Sequence, residues 1–281
     1  MGIVTNRQDP TVGKALDDIP FEVTDTMLTD YYDGLGLEYE PEAAIASMVA
    51  GAADDFHAQS RFTQDRGHLW MRQEWDLRAP LRTGVPYVAH AFIEDIYRRR
   101  DRTVVVTTMS LDDDNGRTVM ESRHHQSFLL DEPVEKVEFR DPAAKEGAKT
   151  FTRPEGTAIG ALDVSISLEM CGQYFHGQRS YHTDQAASEA LGFTEVVVGG
   201  RMTMSYVGHI LERHFGDRWW RSGHLDLKFT NPVWPDDHLT VTGVETGPAD
   251  DGPDRRAVFA WIEKQGGTVA AVANATCSAR D

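Results

Sequence analysis

The segment VVVGGRMTMSYVGHILERHF, residues 196–215, carries the strongest fold signal in this chain. An apolar run leads into a pair of glycines, after which Met204, Val207 and Leu211 recur at positions i, i+3 and i+7. This spacing is typical of a helix that buries one stripe of its surface. We therefore predict a central helix over residues 201–215.

The residues after this helix alternate in the manner of β-strands. Apolar side chains recur every second residue in several consecutive segments, as expected for a sheet with one buried face. Trp219 and Trp220, just after the helix, are expected to cap the core or to form an interface. The predicted strands cover residues 225–229, the segment from 239, residues 258–262 and residues 268–277.

The residues before the central helix add one strand and one shorter helix. Residues 161–168 alternate as a strand, and residues 182–191 are rich in helix formers and end at Gly192. A glycine is a common helix terminator. The second half is therefore expected to run as a strand, then helices, then an antiparallel meander.

The first half shows a similar order in a weaker form. Residues 102–111 and 117–130 are separated by the turn sequence DDDNG, which predicts a hairpin, and residues 68–77 form another predicted strand. Helical pieces are predicted before them, at 21–36 and 40–56. Residues 77–111 loosely parallel residues 227–247, which favours a degenerate internal repeat.

The composition limits the functional class. With 28 Lys and Arg against 45 Asp and Glu, the net charge is −17, which disfavours partners such as nucleic acids and anionic membranes. The two cysteines form neither a disulfide framework nor a zinc cluster. No secretory signal or transmembrane run is apparent, so we expect a cytoplasmic protein.

These patterns predict four parts of the chain. Residues 1–20 form a polar N-terminal arm, and residues 21–134 form the first, eroded unit. Residues 135–158 are charged and rich in proline, which is typical of a linker. Residues 159–281 form the second unit and carry the candidate site.

Three segments of the second unit resemble the MaoC-like hydratase/dehydratase family, which has the hot-dog fold. One is Tyr181-His182-Thr183-Asp184 with the helix that follows it, ending at Gly192-Phe193. The second is VVVGGRMTMSYVG, 196–208, and the third is LKFTNPVWPDDHLTV, 227–241. The resemblance implies an α+β double hot-dog in which two antiparallel sheets each wrap a central helix.

The resemblance also implies a reaction. Members of this family add water to a trans-2-enoyl thioester, giving R stereochemistry at the 3-hydroxyl, or remove it. In that chemistry an Asp and a His activate water and move a proton, while a backbone N–H at the start of the central helix stabilises the enolate oxygen. The expected partner is an acyl-CoA or acyl-carrier thioester. No separate cofactor and no metal are expected, since coenzyme A or phosphopantetheine belongs to the substrate.

The chain departs from the family pattern where the chemistry is concentrated. The family Asp lies five residues before the His, and counting back from His182 gives Gly177. We take His182, His176 and Gly200 as candidate catalytic residues, with His176 as a replacement base. The candidate substrate-binding residues are Arg179, which could pair with a carboxylate on the substrate, together with Tyr181, Gly199 and Arg201.

Several alternatives remain open at this level. The chain is a lyase acting on an enoyl thioester, a divergent protein that binds an acyl thioester without hydrating it, or a repurposed enzyme of specialised metabolism. Asp184 is expected to cap a helix, and Cys171 is expected to fill the core as a strand residue rather than act as a nucleophile. A homodimer or a paired hot-dog subunit fits this fold.

Overall fold

The structure is a computed structural model that describes residues 10–38, 68–128, 151–250 and 252–280. Ten strands form one antiparallel sheet, and five helices lie within the described ranges. The strands are β1 (Ile19–Glu22), β2 (His68–Leu77), β3 (Pro86–Arg99), β4 (Arg102–Asp113), β5 (Thr118–Phe128), β6 (Thr157–Ser165), β7 (His224–Phe229), β8 (His238–Ala249), β9 (Gly252–Lys264) and β10 (Val269–Ser278). The helices are α1 (Asp25–Leu35), α2 (Leu168–Tyr174), α3 (Gln185–Ala190), α4 (Gly200–Phe215) and α5 (Asp217–Ser222).

The sheet repeats one topology in its two halves. The strand order is β1-β3-β4-β5-β2-β7-β10-β9-β8-β6. From either outer edge, the first strand of a half is followed by its third, fourth, fifth and second strands. The second strands, β2 and β7, pair antiparallel at the seam. This symmetry agrees with the predicted internal repeat, and the architecture confirms the α+β class.

A bidentate ion pair crosses the seam. Arg72 on β2 donates from Nε and Nη2 to the two carboxylate oxygens of Asp226 on β7, at 2.6 and 2.9 Å. Two parallel hydrogen bonds of this kind fix orientation as well as distance. The pair therefore holds the two half-sheets in a single register.

Local sequence signals explain where α1 begins and ends. Thr24 accepts a hydrogen bond from the backbone N–H of Met27, and Gly36 takes the left-handed conformation, with φ 66°, at the other end. A side-chain cap and a left-handed glycine satisfy the unpaired backbone groups at the two ends. Helix α1 packs on α2 and so places residues of the first half of the chain against residues of the second half.

Helix α4 lies at the centre of the second half. Most of its side chains are buried, among them Met204, Val207 and Leu211. The Tyr206 hydroxyl donates to the carbonyl of Leu35, at 3.2 Å, and so ties α4 to α1. The predicted central helix is therefore present, and it begins one residue earlier than predicted.

Three expectations about the fold need correction. The predicted strand over 161–168 ends too late, because helix α2 already begins at Leu168. Ser167 caps this helix by accepting from the N–H of Met170. Cys171 consequently lies on a helix and not on a strand. Residues 21–22, expected at the start of a helical piece, are instead the end of β1. Trp219 and Trp220 are buried on α5, as expected for residues that cap the core.

Parts of the other expectations fall outside the described residues. These are the helical piece at 40–56, residues 1–9 of the predicted arm and residues 135–150 of the predicted linker. The remainder of the arm lies along β3: Leu16 is buried and donates its N–H to the carbonyl of Ala91. Within the described ranges, no helix is both long and apolar enough to cross a bilayer.

The contact between α1 and α2 yields a stability prediction. A methyl group added at Gly34 would lie 2.5 Å from the backbone N of Tyr174, which cannot move without displacing α2. We expect Gly34→Ala to lower the free energy of unfolding by about 1–3 kcal/mol. Urea unfolding followed by circular dichroism measures this change.

Gly172→Ala provides the matched control on α2. Its added methyl group meets no atom within 4 Å, so we expect unchanged or higher stability, with a gain of up to about 1 kcal/mol from helix propensity. Equal stability of the two variants would contradict the close packing of α1 on α2.

Candidate active site

A cavity of about 1300 Å³ opens between the two halves of the chain. Its wall includes residues of α1, of β2 and of the α2–α3 connection, as well as the start of α4. A cavity of this volume can enclose a sizeable organic ligand. All seven candidate residues border it: His176, Arg179, Tyr181, His182, Gly199, Gly200 and Arg201.

The His182 imidazole is fixed by a backbone carbonyl. Its Nδ1 lies 2.7 Å from the carbonyl oxygen of Val197, and a carbonyl can only accept, so Nδ1 carries the proton. The neutral ring therefore has an unprotonated Nε2. Burial, followed by the charge effects of His68 and Arg201, outweighs the bond to Val197 and lowers the pKa of His182 to about 4. At neutral pH, His182 is thus a neutral ring whose unprotonated Nε2 can accept a proton.

Two aromatic rings hold this imidazole in place. The Phe175 ring stacks on it with the planes 14° apart and the centroids 5.1 Å apart. The Tyr181 ring lies at 3.9 Å, and the Tyr181 hydroxyl is 3.0 Å from Nε2 of His68. The imidazole can therefore rotate little without disturbing its neighbours.

The two glycines at the start of α4 allow rings to approach the backbone. A methyl group at Gly199 would lie 2.3 Å from the Phe175 ring, and one at Gly200 would lie 2.5 Å from the Trp70 ring. The first intrahelical bond of α4 runs from the N–H of Thr203 to the carbonyl of Gly199. The N–H groups before it have no acceptor within the helix, and they carry the positive end of the helix dipole. Val197, which precedes this N-terminal end of α4, contacts His182 through its carbonyl oxygen.

His176 meets a carboxylate from the other half of the chain. Its Nδ1 lies 2.5 Å from Oδ2 of Asp30 on α1, and the Gln173 side chain donates to Oδ1 of the same carboxylate. His176 has a left-handed backbone, with φ 56°, which is uncommon for a residue other than glycine. The result is a His–Asp pair on the cavity wall.

Arg179 is paired with a neighbouring residue. Its Nη2 lies 3.0 Å from Oδ1 of Asp184, and its side chain is 70% exposed. Asp184 also caps α3 by accepting from the N–H of Ala187, as expected from the sequence. Hydrogen bonds from Arg179 and from the helix backbone lower the pKa of Asp184. A substrate carboxylate would therefore have to compete with Asp184 for Arg179.

Arg201 is buried at the start of α4, where a positive charge opposes the helix dipole. Its guanidinium carbon lies 5.2 Å from the centre of the Tyr174 ring and 5.3 Å from that of Phe175. Cation–π contacts of this kind are stronger when the cation is shielded from water. The two rings give a physical reason for placing an arginine here.

The structure also adds residues that the sequence did not indicate. Phe175, Trp70, His68 and Asp30 border the cavity beside the candidate residues. The first three lie on segments predicted only as strands or left unassigned, and no local signal connects Asp30 to a residue 146 positions away. Their role appears only once the two halves are packed together.

Cys171 takes no part in the site chemistry. The thiol is fully buried, and burial raises its pKa to about 11, which leaves almost no thiolate at neutral pH. In the described ranges, no group of three or more His, Cys, Asp or Glu side chains is placed to hold a metal ion.

One family model matches part of the chain. Residues 178–265 match the model of the MaoC-like domain. No curated protein matches the chain.

Solved structures give the fold. A MaoC-like dehydratase from Phytophthora capsici superposes with a TM-score of 0.69 at 15% identity, over 94% of this chain and 96% of that one. The peroxisomal multifunctional enzyme type 2 of Drosophila melanogaster gives 0.70 at 18%, over 94% of this chain and 48% of that one. A conserved Mycobacterium tuberculosis protein with a double hot-dog fold gives 0.62 at 11%, over 95% and 96%. The predicted double hot-dog is confirmed.

The burial of His182 yields a pH prediction. Its pKa falls from 6.5 in the unfolded chain to about 4 in the folded one, so the unfolded chain takes up this proton first as the pH drops. Stability is therefore present above pH 6.5 and is lost as the pH falls toward 4, by at most about 3 kcal/mol. We expect His182→Gln to lose less stability over this range in urea unfolding.

His238→Gln is the matched control, because this histidine lies at the surface with its side chain 44% exposed. We expect its loss of stability with falling pH to follow that of the unchanged protein. If His182→Gln follows the same curve, His182 is not buried as a neutral ring.

Proposed function

We propose that the protein is a lyase that adds or removes water at an enoyl thioester. Residues 178–265 match the model of the MaoC-like domain, and the chain has the double hot-dog fold, which supports this proposal. The acyl group is carried on coenzyme A or on a carrier-protein phosphopantetheine. One observation carries the proposal. The bond from His182 to the Val197 carbonyl leaves Nε2 unprotonated, and His182 borders the same large cavity as the start of α4.

In the hydration direction, Nε2 of His182 takes a proton from water as the water oxygen bonds to C3 of the enoyl group. The C2–C3 double bond shifts its electrons toward the thioester carbonyl, and negative charge grows on that oxygen. The backbone N–H of Gly200 donates to this oxygen at the positive end of α4. C2 then takes up a proton from the second acid/base group, and the proton held on His182 returns to that group through solvent, which completes the addition of one water.

His176 and Asp30 provide the second acid/base group in this proposal. The Asp30 carboxylate accepts from Nδ1 of His176, which orients the ring and leaves its Nε2 as the other ring nitrogen. A carboxylate behind an imidazole has the same effect in hydrolytic triads. The pair takes over the work that the family assigns to an Asp at the position of Gly177.

A second candidate function is thioester binding without hydration. Two observations favour it: Gly177 stands where the family has its Asp, and the Phe175 ring covers one face of His182. The same features fit a repurposed enzyme of specialised metabolism. A carboxylate-bearing acyl group is a narrower version of the lyase proposal, and it requires Arg179 to leave Asp184.

The lyase proposal predicts enoyl-CoA turnover that depends on His182. We expect the unchanged protein to consume a short enoyl-CoA, which is followed as a fall in the absorbance of the enoyl group. We expect His182→Ala to lower kcat/KM by about 100-fold or more, because the proton acceptor is lost. His238→Gln should retain the parent rate. Binding of the thioester by the unchanged protein without turnover would instead establish the second candidate function.

The His176–Asp30 pair is tested by replacing each of the two residues alone and then both together. We expect His176→Gln and Asp30→Asn each to lower kcat by about 10- to 100-fold, and the double variant to lose little more, because the two side chains act as one unit. Asp33→Asn, an exposed residue on the same helix, should retain the parent rate. Strictly multiplicative losses in the double variant would contradict the pairing.

A further inference from the structure

The turn between β3 and β4 brings several arginines to the rim of the cavity. Its sequence, Arg98-Arg99-Arg100-Asp101-Arg102, has four positive charges and one negative charge in a chain whose net charge is −17. Three of these arginines, Arg99, Arg100 and Arg102, border the cavity. A local positive field at the mouth of a cavity in an acidic protein favours an anionic ligand.

The backbone at Arg100 is unfavourable for an arginine. Its φ is 59°, in the left-handed region that glycine and asparagine adopt most readily. Holding another residue there costs on the order of 1 kcal/mol, and such strain tends to be kept at functional positions. The turn therefore places an arginine at the rim where a glycine would fold more easily.

Arg102 is held in position from β5. Its Nε donates to the Ser127 hydroxyl, at 2.9 Å, and its Nη2 donates to the Ser127 carbonyl, at 3.0 Å. These bonds fix one edge of the guanidinium. Arg99 and Arg100 are exposed beside it. The rim thus combines one oriented guanidinium with two accessible ones, and guanidinium groups match phosphate oxygens in a bidentate manner.

The turn and His182 lie along one continuous wall. Thr103 pairs with Phe128, and Phe128 pairs with His68. The His68 ring lies 5.8 Å from that of Tyr181, which contacts His182. With strands spaced about 4.8 Å apart, the path along this wall from the turn to the imidazole is on the order of 20 Å long. An extended phosphopantetheine arm has a similar length.

We propose that Arg99, Arg100 and Arg102 bind the phosphates at the nucleotide end of a coenzyme A thioester. This inference rests on the proposed function and specifies its carrier. The exposed rim suits the charged end, which stays in contact with water. The inner wall contains apolar side chains such as Phe229 and Val233, and it suits the acyl end.

Calorimetric titration tests the inference without requiring turnover. The ligands are coenzyme A, its 3′-dephospho form and pantetheine, which lacks the nucleotide. The test protein is the double variant Arg99→Gln/Arg100→Asn, since asparagine tolerates the left-handed backbone and preserves the turn. Arg117→Gln is the control: it removes one of the two positive charges that the test variant removes, from an exposed turn at the opposite end of β4.

We expect the double variant to weaken coenzyme A binding about tenfold and to leave pantetheine binding unchanged. The loss should shrink as salt is added, because the contacts are exposed. The Arg117→Gln control should bind all three ligands as the parent does. Equal losses for coenzyme A and pantetheine, no loss at all, or no binding of coenzyme A by the unchanged protein would each overturn the inference.

Failure of this inference can be separated from failure of the proposed function. Turnover of an enoyl-pantetheine thioester, together with coenzyme A binding that does not depend on the two arginines, would contradict only the inference that these arginines bind phosphate. Coenzyme A binding that depends on the arginines, with no turnover of any enoyl thioester, would contradict only the proposed lyase activity.

Discussion

The antiparallel pairing of β2 with β7 is the contact on which the arrangement of the site depends. It joins two half-sheets of the same topology into one sheet, and the Arg72–Asp226 pair fixes their register across the seam. The pairing also sets α1 of the first half against α2 of the second. Because the cavity takes its wall from both halves, neither half alone could form it.

Alternation is a local property, and it predicted eight of the ten strands; β1 and β3 were not predicted. The predicted strand over 68–77 coincides with β2, and the predicted hairpin corresponds to β4 and β5. Its turn is closed by Asp113, whose carboxylate accepts from the N–H groups of Asn115 and Arg117. The repeated strand order agrees with an internal repeat, but the two segments do not match strand for strand: residues 77–111 include β3 and most of β4, whereas residues 227–247 reach only into β8.

Helix α2 was missed for a physical reason. It has seven residues, too few for a helical period to stand out, and the preceding strand pattern runs into it. Its one local signal is Ser167, a residue type common at helix starts. For the same reason, the sequence pattern places Cys171 on a strand and not on this helix.

The candidate residues were predictable as a set, while their partners were not. Motif spacing brought seven residues to one cavity, since the motif lies on consecutive elements. The contacts that decide their chemistry come from elsewhere in the fold. The low pKa of His182 depends on tertiary burial, and the partner of His176 lies on a helix of the other half.

The glycine at position 177 also explains why a carboxylate would have to come from the other half. Gly177 has φ 68° and donates its N–H to the carbonyl of Gly172, which closes the end of α2. This bond ends a helix when the residue before its donor, here His176, is left-handed, and the positive φ of Gly177 itself favours glycine over aspartate. Once the chain ends α2 in this way, an Asp at the family position would carry a backbone strain. The same turn directs His176 toward Asp30. In the proposed mechanism, the change that removes one acid/base residue also creates the geometry for its replacement.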